Sequence, residues 1–184
     1  MSDDVIRTFE SGPSDPVTFG DGPGTYVEVV VDAPAARVWE LVTDIALPAR
    51  FSEELQSAEW EVDASGNTGP APGAVFIGHN TYPAIGEWST RNHVVEYEAE
   101  RTFAWATIDP EQSSARWRWD LDEHDGATTL RFSARLGPGP SGTTMAIDAM
   151  PDKEAKIIHR RIGEVNANLQ RTIDGVRAIA EGRA

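Results

Sequence analysis

The sequence predicts an α+β fold in which a curved antiparallel sheet of seven strands surrounds one long C-terminal helix, with two short helices after the first strand. Three observations support this prediction. Short segments rich in β-branched and aromatic residues, divided by turn residues, occupy most of residues 25–136. Two helical patterns interrupt them directly after the first segment. One amphipathic pattern with a period of 3.6 residues then continues to about residue 181.

The composition limits the classes of function. The chain has 184 residues, a length typical of one domain, and a formal net charge of -14 from 16 Lys and Arg against 30 Asp and Glu. This charge repels phosphate backbones and anionic membranes, so we expect no nucleic-acid partner and no membrane insertion. The absence of cysteine excludes disulfides and a thiolate zinc site, and it favours a cytoplasmic protein.

The beginning of the chain divides into an arm and the start of the sheet. Residues 1–24 are rich in Asp, Ser, Pro and Gly, so we predict a flexible arm there and one domain over residues 25–184. A strand is predicted over 25–31. Pro34 then suits the start of a helix, because apolar residues follow at helical spacing, and a second short helix is predicted over 48–54.

The middle of the chain has the pattern of a strand meander. Its strands are predicted at 58–63, 74–80, 87–98, 102–108, 115–123 and 127–136. Asp125-Gly126 is the clearest hairpin turn among the breaks.

The C-terminal segment predicts one long helix that lies along the sheet. A helical turn is expected near 143–150, and the long helix begins beside Pro151. Its apolar residues recur at intervals of three and four and so share one face. They are Ile158, Ile162, Val165, Leu169, Ile173, Val176 and Ala180.

Aromatic residues are predicted to form the inner wall of this fold. The chain has six tryptophans, and Trp117 and Trp119 alternate with charged residues, so one face of that strand is aromatic. Such a wall suits an apolar pocket, although plain core packing explains any single member equally well. The candidate ligand-binding residues are Trp39, Phe51, Phe76, Asn80, Trp88, Phe103, Trp105, Trp117, Trp119, Phe132, Ile162 and Leu169.

The strand over 87–98 carries the candidate catalytic residues, Arg91 and His93. Arg91 and His93 share one face of this strand, and Trp88 lies on the other. If the first face points inward, Arg91 could hold an anion and His93 could move protons near neutral pH. The alternative is that both lie on the outer, solvated face.

Other motifs are uninformative. His79, His124 and His159 do not match a metal-ligand spacing, and no G-x-S-x-G elbow occurs, so we predict neither a metal nor a cofactor.

Several short motifs, in this order along the chain, resemble the START-like SRPBCC superfamily and especially its polyketide cyclase/dehydrase branch. They include Ala33-Pro34 followed by Val38-Trp39, Phe51-Ser52, Phe76-x-Gly78-x-Asn80 and Trp117-x-Trp119. The similarity covers about residues 25–181. It implies a helix-grip fold with an internal cavity for a lipid-like or polyketide-like molecule. In similar aromatase/cyclases an arginine, a tyrosine and a tryptophan are associated with the chemistry. In this chain the tyrosine position carries Glu54, and the tryptophan position falls near Leu47. The arginine position carries His93, and Arg91 lies two residues earlier.

Three functions are therefore considered. The first is a carrier or binding protein for a small hydrophobic or aromatic molecule held in the cavity. The alternative is a polyketide cyclase/aromatase-type enzyme that acts on a poly-β-ketone in the same cavity, and the second alternative is a non-catalytic interaction module. We expect a monomer or a homodimer.

Overall fold

The computed structural model describes residues 7–8, 17–66, 68–83 and 85–183. Its helices are α1 (Ala35–Val42), α2 (Gly142–Ala149) and α3 (Glu154–Ala180), with 3-10 turns at Phe19–Asp21, Leu47–Arg50 and Pro151–Lys153. Its strands are β1 (Arg7–Thr8), β2 (Pro23–Val31), β3 (Leu55–Trp60), β4 (Val75–Tyr82), β5 (Gly86–Glu98), β6 (Thr102–Thr107), β7 (Ala115–His124) and β8 (Ala127–Leu136).

All eight strands form one antiparallel sheet in the order β1-β2-β8-β7-β6-β5-β4-β3. The meander from β3 to β8 pairs each strand with its neighbour in sequence, and β2 then closes onto β8. The predicted sheet of seven strands with one long C-terminal helix is confirmed, and the two-residue β1 adds an eighth strand at the β2 edge.

Two predicted elements are displaced. The first meander strand was expected at 58–63 but lies at Leu55–Trp60, because the Ser52 hydroxyl accepts the backbone N–H of Glu54 and Leu55 and turns the chain into the sheet early. The second short helix is a single 3-10 turn at Leu47–Arg50, with Pro48 in its first turn, rather than a helix over 48–54.

Most of the predicted arm, residues 1–6 and 9–16, lies outside the described residues. Its last residues lie against the domain. The backbone N–H of Phe19 donates to Glu154 Oε1 at 2.8 Å, and Arg135 Nε donates to the Gly22 carbonyl at 3.2 Å. The strand that was expected to begin at residue 25 accordingly begins at Pro23.

The core lies between the sheet and α3. The apolar stripe of α3 is buried as predicted at Ile158, Ile162, Val165, Leu169, Ile173 and Val176. The helix lies chiefly over β2 and β8, where Asn166 Nδ2 also donates to Thr25 Oγ1 at 2.7 Å. This placement leaves β3 to β6 farther from α3. No helix of the described residues has the length and apolarity needed to span a membrane.

Candidate functional site

The concave face of the sheet, which faces α3, is aromatic across five strands. Cross-strand pairs place Trp60 opposite Phe76, Trp105 opposite Trp117, and Trp119 opposite Phe132. The rings contact one another in series, with centroid separations from 3.7 Å for Trp119 and Phe132 to 6.4 Å for Trp105 and Trp117. The predicted aromatic wall therefore exists, and its rings already fill much of the space beside it.

The candidate ligand-binding residues fall into two groups. Phe76, Phe103, Trp119, Phe132, Ile162 and Leu169 are each at most 5% exposed and pack in the core. The other six side chains are partly exposed; they are Trp39, Phe51, Asn80, Trp88, Trp105 and Trp117. Side chains in this second group can meet a ligand without disruption of the core.

Partial exposure of the inner tryptophans indicates a cleft. Trp88 and Trp105 lie on β5 and β6, whereas α3 lies over β2 and β8. Their indoles point toward the helix side but are not fully covered by it. We call the space bounded by α3 and the inner residues Trp60, Trp88, Thr90, Trp105 and Trp117 the inner cleft.

A row of uncharged polar groups crosses this face. Trp117 Nε1 donates to Thr107 Oγ1 at 3.2 Å, and Thr107 Oγ1 donates to Asn92 Oδ1 at 2.9 Å. Asn92 Nδ2 donates to the Thr90 carbonyl at 3.1 Å and lies 3.3 Å from Thr90 Oγ1, which also receives Asn80 Nδ2 at 3.4 Å. Thr90, Asn92 and Thr107 could not be recognised as a group from the sequence, since the pairing of β5 with β6 that joins them is not visible in one strand.

Charged side chains close the rim of the cleft between α3 and the β3–β4 edge. Arg161 makes two hydrogen bonds to the Glu54 carboxylate, at 2.7 and 2.9 Å, and the Tyr82 hydroxyl donates to Glu164 Oε1 at 2.9 Å. Burial alone would lower the pKa of Arg161, but the hydrogen bonds and charge of Glu54, with the charge of Glu164, outweigh it and raise that pKa. These side chains attach α3 to the edge of the sheet that its apolar stripe does not reach.

Arg91 and His93 do not line this cleft. The inner residues of β5 are Trp88, Thr90, Asn92 and Val94, so the alternating Arg91 and His93 lie on the outer face. The register shift in β5 comes after Val94 and leaves Arg91 outside. A catalytic role in the interior would require both residues to lie on the inner face of β5. The structure places them on the outer face, which is the alternative given above.

Arg91 instead pairs with Glu61 on the outer surface. Arg91 Nη2 donates to Glu61 Oε2 at 2.6 Å and Nε to Oε1 at 3.0 Å. The hydrogen bond from Arg91 lowers the pKa of Glu61, and the bond to Glu61 raises the pKa of Arg91. Both groups are in solvent, where such a pair contributes little to stability.

The outer face also holds a serine, a histidine and a glutamate in series. Ser89 Oγ is 2.9 Å from His79 Nδ1, and Glu59 Oε1 is 3.5 Å from His79 Nε2. The side chains of His79 and Glu59 are 43% and 74% exposed, and 3.5 Å is beyond an ordinary hydrogen bond. This arrangement lacks the fixed, sheltered geometry of a nucleophilic triad.

Two cavities open on the surface of the described residues. One of about 580 Å³ is lined by residues 61–64, 68–75 and Arg91. The other, of about 410 Å³, is lined by Gln56, His79, Asn80, Thr81, Glu87, Trp88 and Ser89, at the β4–β5 end of the sheet. Neither is lined by α3, so the internal cavity that the resemblance implies is not one of these two. Within the described ranges no group of three or more His, Cys, Asp or Glu could hold a metal ion.

A sheet wrapped on a long C-terminal helix, with an aromatic concave face, defines the helix-grip class of protein. Residues 24–173 match the family described as "Polyketide cyclase / dehydrase and lipid transport", and the chain belongs to this family. This membership confirms the resemblance inferred from the motifs.

Solved structures agree with the fold. The chain is similar to a polyketide-cyclase-like protein from Corynebacterium glutamicum, with 25% identity, 91% of this chain and 94% of that chain covered, and a TM-score of 0.63. It is also similar to the Zhui aromatase/cyclase from a Streptomyces species, with 18% identity, coverage of 87% and 94%, and a TM-score of 0.60. A di-domain aromatase/cyclase from the steffimycin biosynthetic pathway has 13% identity, coverage of 87% and 51%, and a TM-score of 0.62. A comparison with curated proteins gives no match.

Proposed function

We propose that this protein binds a small hydrophobic or aromatic molecule against the inner cleft and acts as a carrier or binding protein. The observation that carries the proposal is the partial exposure of Trp88, Trp105 and Trp117 on the concave face. An apolar wall of large rings with uncharged polar groups among them is the usual composition of a small-molecule site. The family's description, which includes lipid transport, supports the same class of ligand.

Ligand binding at this site requires some side-chain movement. The inner rings contact one another closely, as in the series from Phe76 through Trp105 to Trp117. A ligand must therefore rotate partly exposed indoles aside and replace ring–ring contacts with ring–ligand contacts. The core rings of Phe103 and Trp119, each 1% exposed, stay in place.

The proposal is tested with N-phenyl-1-naphthylamine, an uncharged probe whose fluorescence rises in apolar sites. The titration should saturate, and Trp105→Leu should weaken binding about tenfold, because loss of an aromatic anchor costs more than about 1 kcal/mol. Trp88→Leu, at the less packed end of the face, provides a second variant if Trp105→Leu melts early.

Arg91→Ala is the matched control. Arg91 lies on the outer face, paired with Glu61, so its removal should leave probe affinity unchanged. A linear, non-saturating response, or equal loss of affinity in the Arg91 and Trp105 variants, would contradict the proposal. Failure of every apolar probe would leave the non-catalytic interaction module as the surviving hypothesis.

A polyketide cyclase/aromatase-type enzyme is the second candidate, favoured by the cyclase and dehydrase activities in the family's description. The polar groups on the inner face beside these rings include the hydrogen-bonded row from Trp117 to Asn92, whereas Arg91 lies on the outer face. If the protein cyclises a linear poly-β-ketone, Thr107→Val should change the product pattern and Arg91→Ala should not. A product pattern identical to that formed without protein would exclude turnover of that substrate.

A further inference from the structure

We infer that the ligand of the inner cleft is an uncharged molecule that presents a hydroxyl group to Asn80 and Trp88, and that carboxylates are discriminated against. This inference rests on the proposed function and defines its ligand class. Asn80 and Trp88 are direct cross-strand partners on β4 and β5, so Asn80 lies beside Trp88 on the inner face of the sheet, and both side chains are partly exposed.

The hydrogen bonds around Asn80 fix the orientation of its amide. Asn80 Nδ2 lies 3.2 Å from the Gly78 carbonyl, which can only accept, so this atom is the NH2 group. Its other proton faces Thr90 Oγ1 at 3.4 Å. One donor is thus bonded to Gly78 and the other points at Thr90 over a longer distance, so the atom left to meet a ligand is the acceptor, Oδ1.

Gly78 keeps this arrangement in place. A Cβ at Gly78 would lie 3.2 Å from Thr90 Oγ1 and 3.4 Å from Asn92 Nδ2. A glycine here leaves the Asn80–Thr90–Asn92 hydrogen bonds undisturbed. The rest of the row is also satisfied, since Asn92 Nδ2 donates to the Thr90 carbonyl and Asn92 Oδ1 accepts from Thr107.

Trp88 supplies the complementary donor. Among the described residues none accepts a hydrogen bond from its indole N–H, and the side chain is partly exposed. An acceptor and a donor on adjacent positions of two strands match a hydroxyl, which donates through its hydrogen and accepts through its oxygen. An ether or ketone can only accept, so it would leave Asn80 Oδ1 without a hydrogen bond.

The charges near this pair disfavour an anion. The cations at the rim of the cleft, Arg160 and Arg161, are already hydrogen-bonded to Glu164 and Glu54. A carboxylate ligand would have to displace one of these side chains, and it would place its oxygens against Asn80 Oδ1. The chain's net charge of -14 adds long-range repulsion.

The test compares three ligands with the same ring system at pH 7, which are 2-naphthol, 2-methoxynaphthalene and 2-naphthoate. Affinities are measured by isothermal titration calorimetry. The hydroxyl compound should bind about 2- to 10-fold more tightly than the methoxy compound, the range for one hydrogen bond, and the carboxylate should bind more weakly than both.

The variants assign the preference to the pair. Asn80→Leu should reduce 2-naphthol affinity to that of the methoxy compound while the affinity for the methoxy compound stays the same or rises. Trp88→Phe keeps an aromatic ring without the donor and should weaken both uncharged ligands. Gln170→Leu likewise replaces a side-chain amide with leucine, at an exposed position of α3, and should change neither affinity.

The outcomes separate the inference from the proposed function. Equal affinity for all three ligands, or tightest binding of 2-naphthoate, would overturn the hydroxyl assignment while leaving a binding function in place. A 2-naphthol preference that survives Asn80→Leu would likewise overturn it. If none of the three ligands binds and N-phenyl-1-naphthylamine also fails to saturate, the proposed function itself fails and the inference fails with it.

Discussion

Two glycines in α3 offer a paired test of how the turn before β3 packs on the helix. Gly163 and Gly175 both lie inside α3. A Cβ at Gly163 would meet nothing within 4 Å, whereas a Cβ at Gly175 would lie 2.4, 2.4 and 2.6 Å from Cε1, Cζ and Cε2 of Phe51. The same substitution by alanine should therefore stabilise the protein at Gly163 and fail to do so at Gly175.

The magnitudes follow from the two environments. Alanine is favoured over glycine by about 1 kcal/mol in a helix interior, so Gly163→Ala should raise the melting temperature by about 2–4 °C for a domain of this size. At Gly175 the Phe51 ring must move by about 1 Å to regain an ordinary contact of about 3.5 Å. Such overpacking costs about 1–3 kcal/mol, which offsets or exceeds the helix gain, so Gly175→Ala should be less stable than Gly163→Ala by about 2 kcal/mol.

Thermal and urea unfolding, followed by circular dichroism, measure both variants. In a Phe51→Ala background the obstacle is gone, and Gly175→Ala should stabilise the protein as Gly163→Ala does. If Gly175→Ala raises the melting temperature as much as Gly163→Ala in the otherwise unchanged chain, Phe51 does not pack on α3 as described.

Two further predictions concern the ion pairs. Glu54→Gln removes the two charge-assisted hydrogen bonds of the largely buried Arg161 and leaves it only the Glu164 carboxylate, at 3.7 Å, so the change should cost about 2 kcal/mol. The same change at Glu61, whose partner Arg91 is exposed, should have little effect, and equal urea midpoints for the two variants would contradict the assigned burial. The backbone N–H of Asp32, and then the charge of Arg183, lower the pKa of Glu181. A lowered pKa in the folded state stabilises the protein above the unfolded value of about 4.3, and this stabilisation is lost as the pH falls through the folded value. Glu181→Gln should therefore have a lower melting temperature than the unmutated chain at pH 7, and the difference should shrink below about pH 4. A difference that stays constant down to about pH 2.5 would argue against the hydrogen bond between Glu181 and the backbone N–H of Asp32.

The sequence predicted the elements that have a strong periodic signal. The stripe from Ile158 to Val176 is long enough to define one face of α3, and the strands of the meander are separated by clear turn residues. The displaced elements lie where side-chain hydrogen bonds decide the chain path. Ser52 sets the beginning of β3, and its role depends on where its hydroxyl points.

The inward face of β5 could not be assigned from its own residues. Both faces of the strand mix polar and apolar side chains, and the register shift after Val94 also brings Tyr97 onto the inner side, opposite Phe103. The pairing of Val94 with Trp105 on β6 determines which face of β5 points inward, and that pairing depends on the whole sheet. For the same reason the sequence could not place Arg91 next to Glu61, a residue thirty positions away.

The aromatic face of the sheet could be predicted from the sequence, whereas its use as a ligand site stays a prediction. The aromatic wall was correctly expected, since alternation in β7 places Trp117 and Trp119 on one face. The division of that wall into buried core rings and partly exposed rings depends on where α3 lies, which the amphipathic pattern alone does not give. The polar row of Thr90, Asn92 and Thr107 depends in turn on the register between β5 and β6.

The most direct test of a ligand site on the concave face is the indole N–H region of a ¹⁵N nuclear magnetic resonance spectrum. The six tryptophans give six indole signals, which single Trp→Phe variants assign. On titration with 2-naphthol the signals of Trp88, Trp105 and Trp117 should shift in a saturable way, while the backbone amides of the outer-face residues Arg91 and His93 stay unchanged. Saturable shifts confined to the outer-face amides, with the indole signals unmoved, would contradict the account.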